Sequence, residues 1–157
     1  MENYLNVLEE SLQKKIKVLN KIQDYNLKQQ EIFQSDTVNM DEFDQYVEEK
    51  GELIEELNQL DNGFEILYAN LSKQLQEDRA RYAPQIRTLQ ELVRQVTDLS
   101  VTVQTQEARN KKLIEDYFRK SREEIKQGRR SSKAAYNYYK NMSNTNFVQP
   151  QFMDDKK

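Results

Sequence analysis

Three tyrosines, Tyr136, Tyr138 and Tyr139, stand together near the end of a strongly charged chain, in the run Ala134-Ala135-Tyr136-Asn137-Tyr138-Tyr139-Lys140. Beyond them an Asn/Gln-rich stretch carries Phe147, Phe152 and Met153. Large apolar side chains are costly to leave in water, several together amounting to a few kcal/mol of unused burial. These lie past the last regular hydrophobic repeat, so they either fold back to cap the preceding helices or are held out for a partner. Tyrosine suits the second role, because it brings a large contact area and a hydroxyl that sets orientation. The polarity of the stretch beyond favours recognition.

Catalytic chemistry has little to work with. Histidine and cysteine are both absent. That removes the commonest general base, the commonest metal ligand, thiolate chemistry and disulfides. Carboxylates are plentiful, as in Glu48-Glu49 and Glu55-Glu56, but they fall where solvated charge is expected. There is no Gly-rich phosphate loop, nucleophile elbow or metal-ligand spacing. Met153-Asp154-Asp155 reads as a solvated terminus. No catalytic residue, metal or cofactor is expected, and the chain is not read as an enzyme.

The one basic concentration is Arg119, Lys120, Arg122, Lys126, Arg129, Arg130 and Lys133, interleaved with Tyr117 and Phe118. It could grip nucleic acid, and such binding would weaken steeply with salt. Glu115, Asp116, Glu123 and Glu124 in the same stretch argue against that. Cations near a helix C-terminus, where they suit the dipole, are the simpler account. No nucleic-acid partner is expected, and the net charge of −3 supplies no general pull toward one.

The elements that must carry these residues are helical. The chain has 157 residues, 36% hydrophobic and 32% charged, with three Gly and two Pro. That composition points to long helices, not compact sheets. A mean hydropathy of −1.01 leaves only a narrow apolar seam. No run approaches the roughly 20 apolar residues of a membrane span. The start Met1-Glu2-Asn3-Tyr4 lacks a signal-peptide pattern. A cytoplasmic protein with no membrane insertion is expected.

A first helix is predicted from about Asn3 to Phe33, on the face Leu5, Leu8, Leu12, Ile16, Leu19, Ile22 and Tyr25. Lys14, Lys15, Lys17, Lys21 and Asp24 fall largely off that face. Ser35 to Asn39 breaks it, and Asn39 with Glu42 forms a candidate capping box for a second helix. Asp61-Asn62-Gly63 looks like a turn, yet Leu53, Leu57, Leu60, Phe64, Leu67 and Leu71 hold one rhythm across it. One kinked helix, or two nearly collinear ones, is therefore expected to end near Glu77, with a separate short third helix as the alternative. After Arg79–Ala83, Pro84 suits the first turn of a third helix. Its heptad seam runs Leu89, Leu92, Val96, Leu99, Val103, Gln106, Asn110, Leu113, Tyr117 toward Gly128. Gln106 and Asn110 are polar seam residues that either fix register or help accept a partner helix. A short helical piece is expected at Ser132–Met142. The expected fold class is all-α, an antiparallel up-down bundle of three to four long helices with coiled-coil-like packing. It comprises a domain over residues 1–142, with a flexible, disordered tail at 143–157.

With these features in place, the chain resembles the FlgN family of flagellar export chaperones. Asp44 to Leu57 is similar to the family's second-helix pattern of a lysine followed by paired hydrophobics. Gln106-Glu107-Ala108-Arg109-Asn110-Lys111-Lys112-Leu113 is similar to its Asn-x-x-Leu element. Tyr136 to Tyr139 resembles its C-terminal Tyr motif, without the glycine that usually lies nearby. The resemblance covers residues 1–142. It implies a cytoplasmic chaperone that binds the C-terminal helices of hook-associated (hook–filament junction) proteins, holds them unassembled and delivers them to the flagellar export gate. On that reading Asn110, Leu113, Tyr117, Phe118 and Ile125 bind the substrate protein. Tyr136, Tyr138 and Tyr139 dock at the gate or contact the partner. A monomer or weak dimer fits. The competing reading is a structural coiled-coil adaptor that self-assembles through the same heptads without chaperone activity.

Overall fold

A computed structural model describes residues 2–120 and 137–138 of the chain. Among them lie three long helices, α1 (Glu2–Gln34), α2 (Met40–Glu77) and α3 (Ala83–Lys120), and no strand. The expected further piece at Ser132–Met142 is seen only at Asn137 and Tyr138, both helical. The rest of it, the third helix beyond Lys120 and the expected tail at 143–157 lie outside the described residues.

The helix ends follow from local chemistry. Asn39 caps α2, its side-chain oxygen accepting from the Glu42 backbone N–H at 3.1 Å. Such a cap satisfies one of the orphan donors of the first turn. The reciprocal half of the capping box does not form; the Glu42 carboxylate instead takes the Tyr46 hydroxyl at 3.2 Å. Asp41 and Glu42 add negative charge where the helix dipole favours it. At the far end α2 stops at Glu77, and the short link holds itself through Tyr82 N–H to Asp78 C=O at 3.3 Å. Tyr82 is buried and anchors the reversal, and Pro84 falls in the first turn of α3. α2 is a single helix through Asp61-Asn62-Gly63, as the unbroken rhythm of its leucines required.

α1 packs along both other helices, while α2 and α3 touch each other far less. Contacts between Lys15 and Asp61, and between Asn26 and Lys50, run in opposite senses along α1 and α2. Those helices are therefore antiparallel. Asn26 meets Gln106 and Phe33 meets Tyr117, so α3 runs parallel to α1. Leu8, Leu19, Ile22, Phe43, Leu57, Val96 and Val103 make the innermost apolar layer. Burying such side chains is worth about 1.5–3 kcal/mol each before the entropy of ordering is subtracted.

The buried lines differ from the predicted seams in one consistent way. On α1 the line passes through Lys15 and Asn26, whereas Ile16 and Tyr25 are only half-buried beside it. Lys15 is thus in the core, not off the face. On α3 the line is Leu89, Val93, Val96, Ser100, Val103, Glu107, Asn110 and Ile114, and Leu92, Leu99 and Leu113 flank it half-buried. The shared positions are Leu89, Val96, Val103 and Asn110, at seven-residue spacing, together with Gln106; Leu92, Leu99 and Leu113 give way to the buried residue that follows each.

Candidate functional site

Where α2 and α3 face each other, the core turns polar. Lys50 of α2 is fully buried. Its ammonium donates to Glu107 Oε1 of α3 at 2.8 Å and to Asn26 Oδ1 of α1 at 2.7 Å. Tyr138 closes the group. Its hydroxyl donates to the same Glu107 oxygen at 2.7 Å, and its ring centroid lies 4.2 Å from the Lys50 ammonium. A cation over an aromatic face is attracted by the ring quadrupole, more strongly when water is excluded. Tyr138 is only 4% exposed.

Neighbouring amides hold this group in register. Asn26 donates through Nδ2 to Gln106 Oε1 at 3.2 Å, and Asn110 donates to the Asn26 carbonyl at 2.9 Å. Gln29, also buried, donates to the Phe43 carbonyl at 3.4 Å. One residue of α1, Asn26, therefore touches both other helices. A slip of either helix by one turn would strand several buried polar groups, each costing about 1–3 kcal/mol. Burial pushes the Lys50 ammonium down to about 8, with the charge of Glu107 and its hydrogen bond pulling partly back. Desolvation outweighs the attraction of the single carboxylate, as is common for buried pairs.

The satisfaction is incomplete. Among the described residues Glu107 Oε2, Asn110 Oδ1 and Ser100 Oγ are buried without a hydrogen-bond partner. Ser100 and Glu107 are one heptad apart on the line that faces α2.

A second feature lies about three helical turns, roughly 15 Å, further along α3. Tyr117 meets Phe33 of α1 at 6.0 Å and Phe118 at 5.5 Å, and Phe33 meets Phe43 of α2 at 5.3 Å. These edge-on contacts tie the three helices together beside the α1–α2 connection. Leu113, Tyr117 and Phe118 are half-buried.

The residues expected to bind a substrate protein thus separate. Asn110 is buried and bonded to the Asn26 carbonyl of α1. Leu113 lies one heptad from Gln106, on the α1 flank. Phe118 follows Glu107 and Ile114 at steps of seven and four, on the α2 flank. Ile125 lies outside the described residues, as do Tyr136 and Tyr139. Tyr138, expected to face a partner, is buried against Lys50 and Glu107; its hydroxyl finds there an acceptor in place of water, and its ring a cation. Lys50, Glu107 and Asn26 were not among the expected site residues. Their signal was positional: each falls on the three-four spacing of its helix's buried line.

Among the described residues no group of three or more acidic side chains is placed to hold a metal ion. None of the described helices is long and apolar enough to cross a membrane. A family model, that of FlgN protein, matches residues 1–145. No curated protein and no solved structure matches the chain.

Proposed function

The chain belongs to the FlgN family, and from that premise we propose that it is a cytoplasmic chaperone of flagellar export whose clients are the C-terminal helices of hook-associated proteins. The family match over nearly the whole chain is the observation that carries this reading. The bundle supports it physically. A client helix that would otherwise self-associate presents an apolar face, and a chaperone must offer a matching surface without burying it permanently. The half-buried Leu113, Tyr117 and Phe118 at the end of α3, continued in sequence by Ile125, are such a surface. Tyr136 and Tyr139, with Tyr138, are the residues proposed to meet the export gate or the client. Ordering a client helix on binding costs about 2–5 kcal/mol of the gross interaction, which keeps the complex releasable.

The test is direct binding. The full chain is titrated with a synthetic peptide of a hook-associated protein's C-terminal helix, and the mass of the complex is read by sedimentation. A 1:1 complex is expected. Absence of binding, together with concentration-dependent self-association of the chain alone, would establish the coiled-coil adaptor instead.

A further inference from the structure

Tyr138 occupies a place built by two helices that otherwise hardly touch. α1 fills one side of both α2 and α3, and the side between α2 and α3 is bridged by the Lys50 side chain and by Tyr138. The residue before it, Asn137, is helical and exposed, whereas Tyr138 is helical and buried against the groove. That tyrosine leaves its receptor half-satisfied. Tyr138 and Lys50 both donate to Glu107 Oε1, while Oε2 of the same buried carboxylate has no donor among the described residues. Ser100 Oγ, one heptad away on the same line, is likewise buried and unmet. A buried carboxylate oxygen without a donor marks a site with capacity for a further hydrogen bond.

We propose that Tyr138 holds the Lys50–Glu107 seat between α2 and α3 as an intramolecular stand-in for a client helix, and that client loading expels it. The inference rests on the client-binding reading above and adds where the client lies and what it displaces. The fitting occupant is an amphipathic helix with an aromatic side chain to set over the Lys50 ammonium and a hydrogen-bond donor for Glu107. Such a helix can complete the carboxylate, which one phenol hydroxyl does not. Lying along α3 it would also reach Ile114 and Phe118, which share the Glu107 face, so the seat and part of the aromatic end form one surface. Expulsion would deliver Tyr138 to solvent only when a client is aboard. That makes the C-terminal tyrosine a signal of the loaded state.

The full chain is labelled with 3-fluorotyrosine, and the Tyr138 resonance is assigned by its loss in Tyr138→Phe. Titration with the hook-associated peptide should move that resonance from a buried to a solvent-exposed position at saturation. Removing the stand-in by Tyr138→Ala should tighten peptide binding by about tenfold if the seat is nine-tenths occupied in the free chain. Tyr138→Phe, which keeps the ring over the ammonium and loses only the hydroxyl, should fall between. A resonance that stays buried at saturation, or an alanine variant that binds equally or more weakly, overturns the proposal while leaving the chaperone reading intact. A peptide that binds neither chain removes the chaperone reading, and the stand-in role falls with it.

Discussion

Lys15 and Asp61 meet at 2.5 Å between α1 and α2, and Lys50 and Glu107 meet at 2.8 Å between α2 and α3. Both are lysine–carboxylate pairs on the buried lines of long helices, and their surroundings differ. The Lys15 and Asp61 side chains are 5% and 19% exposed, and Asp61 Oδ2, like Glu107 Oε2, is buried without a donor among the described residues. Lys50 and Glu107 are 0% and 5% exposed, and Asn26 and Tyr138 are built around them. The first pair joins two helices that already pack along their length. The second spans two that hardly touch. A polar pair inside a well-packed hairpin can set its register; a polar pair in an open groove can also serve as a receptor, because something must cover it.

Breaking the second pair should have the largest effect. Lys50→Ala leaves Glu107 as a buried charge whose nearest cation is gone, and Glu107→Ala leaves Lys50 equally exposed to the low dielectric. Each should cost about 3–5 kcal/mol in urea unfolding. Replacing both at once, as Lys50→Met with Glu107→Leu, removes the desolvation penalty along with the attraction, and should recover most of that loss. If the double variant is as unstable as either single one, the pair is not paying a desolvation cost and the contrast with Lys15–Asp61 collapses.

A smaller effect of the same pair should appear with pH. The native Lys50 ammonium gives up its proton near pH 8, whereas a lysine in the unfolded chain keeps it to about 10.5. Over that window the unfolded state binds more protons, so stability rises with pH. The gain between pH 8 and 9.5 should be on the order of 2 kcal/mol. Above pH 10 the tyrosines work in the other direction: Tyr25, Tyr46 and Tyr68 are held above their usual range, chiefly by burial, and resist ionising in the native state. Urea midpoints across this range check the rise, and Lys50→Met should flatten it. A wild type whose stability only falls above pH 8 would mean that Lys50 is held charged by more than Glu107.

The same two pairs show what could be read beforehand. The all-helical class, the start of α2 at its Asn39 cap, the passage through Gly63 and the stop at Glu77 all followed from spacing and cap chemistry. The polar core did not, for one reason. Seams were traced by choosing the apolar residue at each step, Ile16 over Lys15, Tyr25 over Asn26, Leu53 over Lys50's line. The geometric lines run on regardless of polarity, through Leu12, Lys15, Leu19, Ile22, Asn26 and Gln29 on α1. On α2 they pass through Val47, Lys50, Ile54, Leu57, Asp61 and Phe64. Every one of these steps is three or four residues. Following phase alone would have placed Lys15, Asn26, Lys50, Asp61 and Glu107 inside. It would not have placed Tyr138, whose partners are 88 and 31 residues away in the chain. No local pattern encodes a contact of that range.

The smallest effect should come from the first pair. Lys15→Met keeps the apolar stem of the lysine in the α1 core and removes only the ammonium. Asp61 then loses its cation, but its side chain is 19% exposed against 5% for Glu107, and its carboxyl is already held above the usual range by burial, against the pull of Lys15. Protonating or hydrating that group is cheap compared with doing so at Glu107. The loss should be about 1 kcal/mol, the upper end for exposed pairs and well short of a fully buried one. Asp61→Asn, which retains an acceptor for Lys15 without the charge, should cost no more. A double-mutant cycle on Lys15 and Asp61 should therefore return a coupling well below that of Lys50 and Glu107. Equal couplings would show that burial in the groove adds nothing to a lysine–carboxylate contact. The Lys50–Glu107 seat would then be a second register device, not a receptor that Tyr138 happens to fill.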